Sequence, residues 1–265
     1  MDGAAEHPAL RAAAADAAGS LAYWANDAER AGHWYGQALD IYRELGDRVG
    51  VATELYNLAA GLNSRLPYSM DDGIVARGML TEALEIYDEL ADRGGEARAL
   101  WALSLNDLRS DRMADGTLHA GQALAYFEEV NDAFMIPWSE YMLAFAEVAQ
   151  GDLGTARRRL LRCLGMFRSV RDLSGYSVIL NCIATVDDRA GERASAARIS
   201  GAVAALDAVA GTGIKNVWNL DLGFDPLTLR DDPATRDAWH EGERTGVDAI
   251  VALVLEEQEP ITASL

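Results

Sequence analysis

Metal or nucleophile chemistry on this chain would have to draw on His7, His33, His119, His240, Cys163 and Cys182. The histidines stand far apart, and no two have the i, i+4 spacing that sets a pair of metal ligands on one helix face. Ser–His–Asp and Cys–His sets can be drawn from any such inventory, but no flanking motif singles one out. The only lysine, Lys215, lies in "GTGIKN" between Ile214 and Asn216, whereas a phosphate-cradling loop needs Gly-Lys-Ser/Thr there. The residues predict no catalytic site, no metal and no cofactor, in a chain that is not an enzyme.

Charge narrows the partners. Lys and Arg total 23 against 42 Asp and Glu, a formal net charge of −19. Nucleic-acid affinity comes from neutralising phosphates with basic side chains, so no direct binding to nucleic acid is expected. No terminal segment reads as a helix-turn-helix with a basic second helix. One stretch runs against the balance: "ARRRLLRCLGMFRSVRD", with Arg157, Arg158, Arg159, Arg162, Arg168 and Arg171. It reads as a solvated face balancing nearby acids, or as a docking patch for an acidic partner. Glu128-Glu129, Asp187-Asp188 and Glu256-Glu257 read as solvated faces. No apolar run reaches the ~20 residues of a membrane span. "MDGAAEHPALRAAAADAAGS" lacks the basic flank and apolar stretch of a secretory leader. Cys163 and Cys182 sit inside apolar helical patterns and read as buried free thiols, the usage of a cytoplasmic protein.

The elements that would position any site come from a repeat. "ALDIYRELGD", "ALEIYDELAD", "ALAYFEEVND" and "CLGMFRSVRD" carry Leu39, Leu84, Leu124 and Leu164 at spacings of 45, 40 and 40. A fainter copy, "VAALDAVAGT", begins at Val203. A period between about 20 and 50 residues marks stacked structural units. Each copy is amphipathic: in the second, Ala83, Leu84, Tyr87 and Leu90 line one side while Glu82, Glu85, Asp88 and Glu89 face water. After an Asp- or Gly-marked break comes a second helical run, as in "GVATELYNLAAGL", "EARALWALSLNDL", "FMIPWSEYMLAFAEVA" and "GYSVILNCIATVDD". Neither helix hides its stripe alone, so neighbouring pairs must stack. The five extra residues between the first two copies fall in a loop read from Asn63 to Gly73. From Gly213 to Asp232 the pattern stops, and Trp218 and Phe224 read as packing an ordered loop on the last repeat. Asp232 with Pro233 reads as one helix start, and Thr245 with Asp248 as a capping box for another. The division expected is residues 1–212 as about five helical units and 213–265 as a loop with two short capping helices.

The pattern resembles the tetratricopeptide repeat. In "YMLAFAEVAQGDLGTARRRLLRCL", Leu143 and Ala144 match the family's Leu-Gly pair, Gly151-Asp152 the turn, and Ala156, Leu160 and Cys163 the small–large–small positions of the second helix. Ile183, Ala184, Gly191, Ala196 and Val203 match the next unit, and Ala31, Tyr35 and Ala38 the first. The chain departs from the family at Glu147, where Tyr is preferred, in lacking the closing proline, and in a period near 40 rather than about 34. With its opening and closing segments the chain is similar to the C-terminal helical region of MalT-like and LuxR-type regulators and of AfsR-related predicted ATPases. The resemblance implies an all-α, right-handed superhelix (α-solenoid) of antiparallel helix pairs with a C-terminal capping segment. It also implies a sensor or scaffold role beside a fused or associated ATPase or DNA-binding regulator domain.

It further implies a binding surface. Aligning the first helices places Tyr56, Trp101, Tyr141 and Asn181 in one row, Thr53, Arg98, Trp138 and Val178 three residues earlier, and Ala60, Leu105, Phe145 and Thr185 four residues later. These rows share one helix face, and in the tetratricopeptide fold that face is concave. Thr53, Tyr56, Arg98, Trp101, Leu105, Trp138, Tyr141, Phe145 and Asn181 are therefore candidates for a groove that takes a protein or peptide segment, since aromatics and Arg favour recognition. Packing between adjacent helices is the alternative reading of the aromatics. A small-molecule pocket around Trp101, Trp138 and Tyr141 is the alternative function.

Overall fold

The computed structural model describes residues 7–65, 67–210 and 222–256. These form thirteen helices, with no strand among the described residues. One compact unit, ending at Val130, holds α1 (Pro8–Trp24), α2 (Ala28–Leu45), α3 (Arg48–Asn63), α4 (Met70–Glu89), α5 (Arg93–Arg109) and α6 (Met113–Glu129). The second, from Asn131, holds α7 (Met135–Ala149), α8 (Leu153–Val170), α9 (Leu173–Arg189), α10 (Arg193–Ala210), α11 (Leu227–Asp231), α12 (Arg236–Thr245) and α13 (Val247–Glu256). Within each unit successive helices pack as antiparallel pairs, α1 with α2, α3 with α4 and α5 with α6, then α7 with α8 and α9 with α10. The chain is all-α, with the helix-pair repeat expected from its periodicity.

Local chemistry explains the turns. The aspartate ending each ten-residue copy opens the next helix: the carboxylates of Asp47 and Asp92 accept from the backbone N–H of Gly50 and Gly95, and that of Asp172 from Ser174 and Gly175. Such caps satisfy donors that have no partner within the helix. The same aspartates close the helix before, their N–H groups donating to the carbonyls of Tyr42, Tyr87 and Phe167. The residue preceding them is left-handed in every copy: Gly46, Ala91, Asn131 and Arg171. Only the first of these is glycine, so the capping contacts hold the others in a conformation that L-residues resist.

The first unit's core gathers Leu39, Val51, Leu55, Ile86 and Tyr87, with Ala22, Ala31 and Tyr35 beside α1. The second buries Trp138, Leu160, Leu164, Phe167, Ile179 and Leu180. Cys163 and Cys182 are free and buried, and burial pushes both thiols up, Cys182 to about 12.

Three boundaries differ from the sequence reading. Asp71, Asp72 and Gly73 belong to the first turn of α4 rather than to a loop, because the Ser69 hydroxyl accepts from the N–H of Asp72 and starts the helix there. Thr245 caps nothing: its hydroxyl donates back to the carbonyl of Glu241, and α13 starts after Gly246. The Asp232 carboxylate does accept from the N–H of Ala234, but a turn intervenes and α12 begins only at Arg236. Among its described residues the C-terminal segment thus has three short helices where two were expected. Much of the loop read from Gly213 to Asp232, with Lys215 and Trp218, lies outside the described residues. α12 packs on α10 through two glycines, where a Cβ on Gly201 would stand 2.1 Å from the Trp239 carbonyl oxygen and one on Gly242 1.9 Å from that of Arg198.

Candidate binding surface on the first helices of the pairs

In the first unit, α1, α3 and α5 are the first helices of their pairs, and α3 packs against α5. Thr53 and Tyr56 on α3 are half-buried and Arg98 on α5 is exposed. Trp101 is only 4% exposed, and Leu105 is buried with it. In the second unit Trp138, Tyr141 and Phe145 on α7 are buried, and Asn181 on α9 is half-buried. Of the aromatic residues in the three rows, Tyr56 alone is partly exposed, and Trp101, Trp138, Tyr141 and Phe145 are buried rather than open as expected. From Trp101 to Leu108 every residue of α5 is buried, and a helix enclosed on all sides spends its aromatics on packing. Trp138 stacks edge-on against Phe167 at 4.9 Å and Tyr141 at 6.1 Å between ring centroids.

Above this floor the first unit carries a polar cluster that the rows did not single out. Asn57 Nδ2 donates to Asp16 Oδ1 at 3.4 Å and to Glu54 Oε2 at 3.5 Å, joining α1 to α3. Glu54 is buried. Burial, then the neighbouring charge of Asp16, pushes its carboxyl up to about 8. Burial likewise raises Asp16, against a lowering hydrogen bond with Glu54. The pair thus sets two carboxyls close together where burial disfavours charge on both. Burial also raises the Tyr56 hydroxyl, while the Arg98 guanidinium acts the other way. Arg98 makes no ion pair among the described residues.

Further along α3 and α5 a buried amide ladder begins. Asn106 Nδ2 donates to Asn63 Oδ1 at 2.8 Å and to the Gly73 carbonyl at 2.9 Å. Next to it the buried Asp107 carboxylate accepts from Arg77, from Arg112 Nε at 2.8 Å, and pairs with His119 Nδ1 at 2.8 Å. Burial pushes Asp107 up, but the hydrogen bonds and charges of His119, Arg112 and Arg77 outweigh it and hold its pKa below the ordinary value. His119 is thus a hydrogen-bond partner of Asp107, and no group of three metal-ligating side chains occurs among the described residues.

The arginine-rich helix of the second unit is partly a structural device. Arg159 bridges Glu140 and Glu147, the latter at 2.9 Å, and Arg162 reaches Glu140 at 3.2 Å. Arg157 pairs with Asp187 at 2.9 Å, so Asp187 is buried and paired rather than a solvated acid. Glu147, the residue standing where the resemblance prefers Tyr, is the acid that anchors Arg159. Arg168 and Arg171 remain exposed.

No protein-family model matches the chain, and neither does any curated protein. Among solved structures the chain is similar to the crystal structure of aspartyl phosphate phosphatase F from Bacillus subtilis, with a TM-score of 0.58 and 14% identity over 89% of this chain and 67% of that one. At that identity the likeness defines the fold. No helix among the described residues is long and apolar enough to cross a membrane.

Proposed function

We propose that the chain is a non-enzymatic interaction module that takes a protein or peptide segment on the first helices of its pairs, as the sensor or scaffold portion of a bacterial signalling or transcription regulator. Arg98 carries the reading: an exposed guanidinium without an ion-pair partner among the described residues, beside Tyr56 and on the same helix as the buried Trp101. A guanidinium held there reads a carboxylate or a backbone carbonyl by charge-assisted hydrogen bonds. The net charge of −19 draws partners of positive charge, so the fitting segment is basic overall with an acceptor placed for Arg98.

Selection of a displayed peptide library on the full chain tests this. The expected outcome is enrichment of Lys- and Arg-bearing peptides whose affinity falls at least tenfold in Arg98→Ala, the ~2 kcal/mol of a hot spot. Absence of any enriched peptide, or binding indifferent to Arg98, overturns the reading. The structural neighbour is named as a phosphatase, so phosphate release from acetyl phosphate is the assay for the non-enzymatic part. Turnover above a buffer control would contradict it.

A further inference from the structure

The first helix has two apolar faces. Ala12, Ala15, Gly19 and Ala22 are buried. On the opposite side Leu10, Ala14, Ala17, Leu21 and Trp24 form a second stripe, with Leu10 67%, Leu21 76% and Trp24 56% exposed. Their spacings of 4, 3, 4 and 3 make a heptad seam, the pattern into which a second helix packs knobs into holes. A single exposed leucine is ordinary, but a contiguous apolar row marks an interaction surface.

Two features choose the occupant. The stripe reads the same in both directions from Leu10 to Leu21: Leu, Ala, Ala, Leu at spacings of 4, 3 and 4. A twofold interface presents one patch to itself and must be self-complementary. Antiparallel pairing about the point midway between Ala14 and Ala17 sets Ala14 against Ala17 of the second copy and Leu10 against its Leu21. Small residues at the centre let the backbones approach, and the large ones close both ends.

Charge is the second feature. Two chains at −19 repel each other over most of their surface. From Pro8 to Trp24 the only charged residues are Arg11 and Asp16, which cancel, and Asp16 is engaged by Asn57 of α3 rather than lying in the stripe. From these observations we propose that the chain self-associates as an antiparallel dimer through the outer face of α1.

Sedimentation of the full chain decides it. The mass should be twice that of a single chain at tens of micromolar. Leu21→Glu should return it to a monomer with unchanged helical circular dichroism, whereas Leu118→Glu, an exposed leucine on α6, should leave the dimer intact. Register is read separately by oxidation: a mixture of Ala14→Cys and Ala17→Cys chains should cross-link faster than either alone, against little background because Cys163 and Cys182 are buried. A monomer throughout the concentration range, a dimer indifferent to Leu21→Glu, or faster cross-linking of Ala14→Cys to itself overturns the proposal.

Discussion

The ring of Tyr87 fills the space that a side chain at position 95 would need: a Cβ on Gly95 would lie 2.2 Å from Tyr87 Cδ1. The same contact recurs between Gly50 and Tyr42 at 2.4 Å and between Gly175 and Phe167 at 2.3 Å. In each case aromatic, aspartate and glycine are spaced by five and three residues. The aspartate N–H closes the helix on the aromatic's carbonyl, its carboxylate opens the next helix on the glycine N–H, and the ring then lies on that glycine. Turn and packing are one device. The third copy has Met135 where the others have glycine, and the chain passes there from one compact unit to the next.

Gly95→Ala should therefore destabilise the protein, although alanine is the better helix former. Tyr87 is buried and cannot yield its place without backbone movement, an overpacking cost of about 1–3 kcal/mol. Gly78, on the exposed side of α4 with open space around its Cβ position, supplies the contrast. There the same change should stabilise by about 0.5–1 kcal/mol. Urea unfolding of both variants measures the difference, and equal effects would refute the packing account.

Trp101→Ala should cost about 3–5 kcal/mol in urea or thermal unfolding, as truncation of a buried aromatic does. An exposed groove tryptophan would lose far less stability and much more binding. A loss under about 1 kcal/mol would restore Trp101 to the recognition surface.

The repeat and its helix pairs were legible because each leaves a local signature: a period near 40 residues, an amphipathic stripe, an Asp- or Gly-marked break. The fate of the aromatic rows was not. Residues at i−3, i and i+4 share a face whether that face meets solvent or another helix, and only the packing around α5 shows Trp101 enclosed while Arg98 stays open. Asp16, Glu54 and Asn57 meet across about 40 residues of chain, and Asp107 on α5 gathers Arg77 from within α4 and Arg112 and His119 from the start and body of α6. No motif announces either cluster, since each is made by stacking. The seam on α1 was readable in the residues themselves, but its meaning depends on the opposite face being the buried one.

Asp107→Asn should lower stability by about 2 kcal/mol near neutral pH. Removing one member of a buried ion pair costs ~3–5 kcal/mol when the charge left behind is itself buried. Here Arg77 and Arg112 are about a third exposed, 34% and 37%, so water takes over part of the loss. The sign against pH follows from a depressed pKa. The contribution is complete above the ordinary value of 3.8 and is lost as pH falls through the lower folded value. Chemical denaturation of wild type and Asp107→Asn at pH 7 and pH 3 should show the gap narrowing in acid, and a constant gap would mean that the carboxylate's charge is not what matters.

Glu54 should act in the opposite direction. Its folded pKa, about 8, lies above the ordinary 4.5, so the folded state keeps a proton that the unfolded chain releases. Between these values the unfolded state binds fewer protons, and stability falls as pH rises. The full contribution is present below pH 4.5 and has gone once pH passes 8. Glu54→Gln keeps the shape and the hydrogen-bonding amide but cannot ionise. The variant should match wild type near pH 5 and exceed it by ~2 kcal/mol or more at pH 9, where wild type must hold a buried carboxylate beside Asp16. Urea midpoints from pH 5 to 9 provide the measurement. Parallel pH profiles for the two proteins would show that Glu54 ionises freely in the folded state.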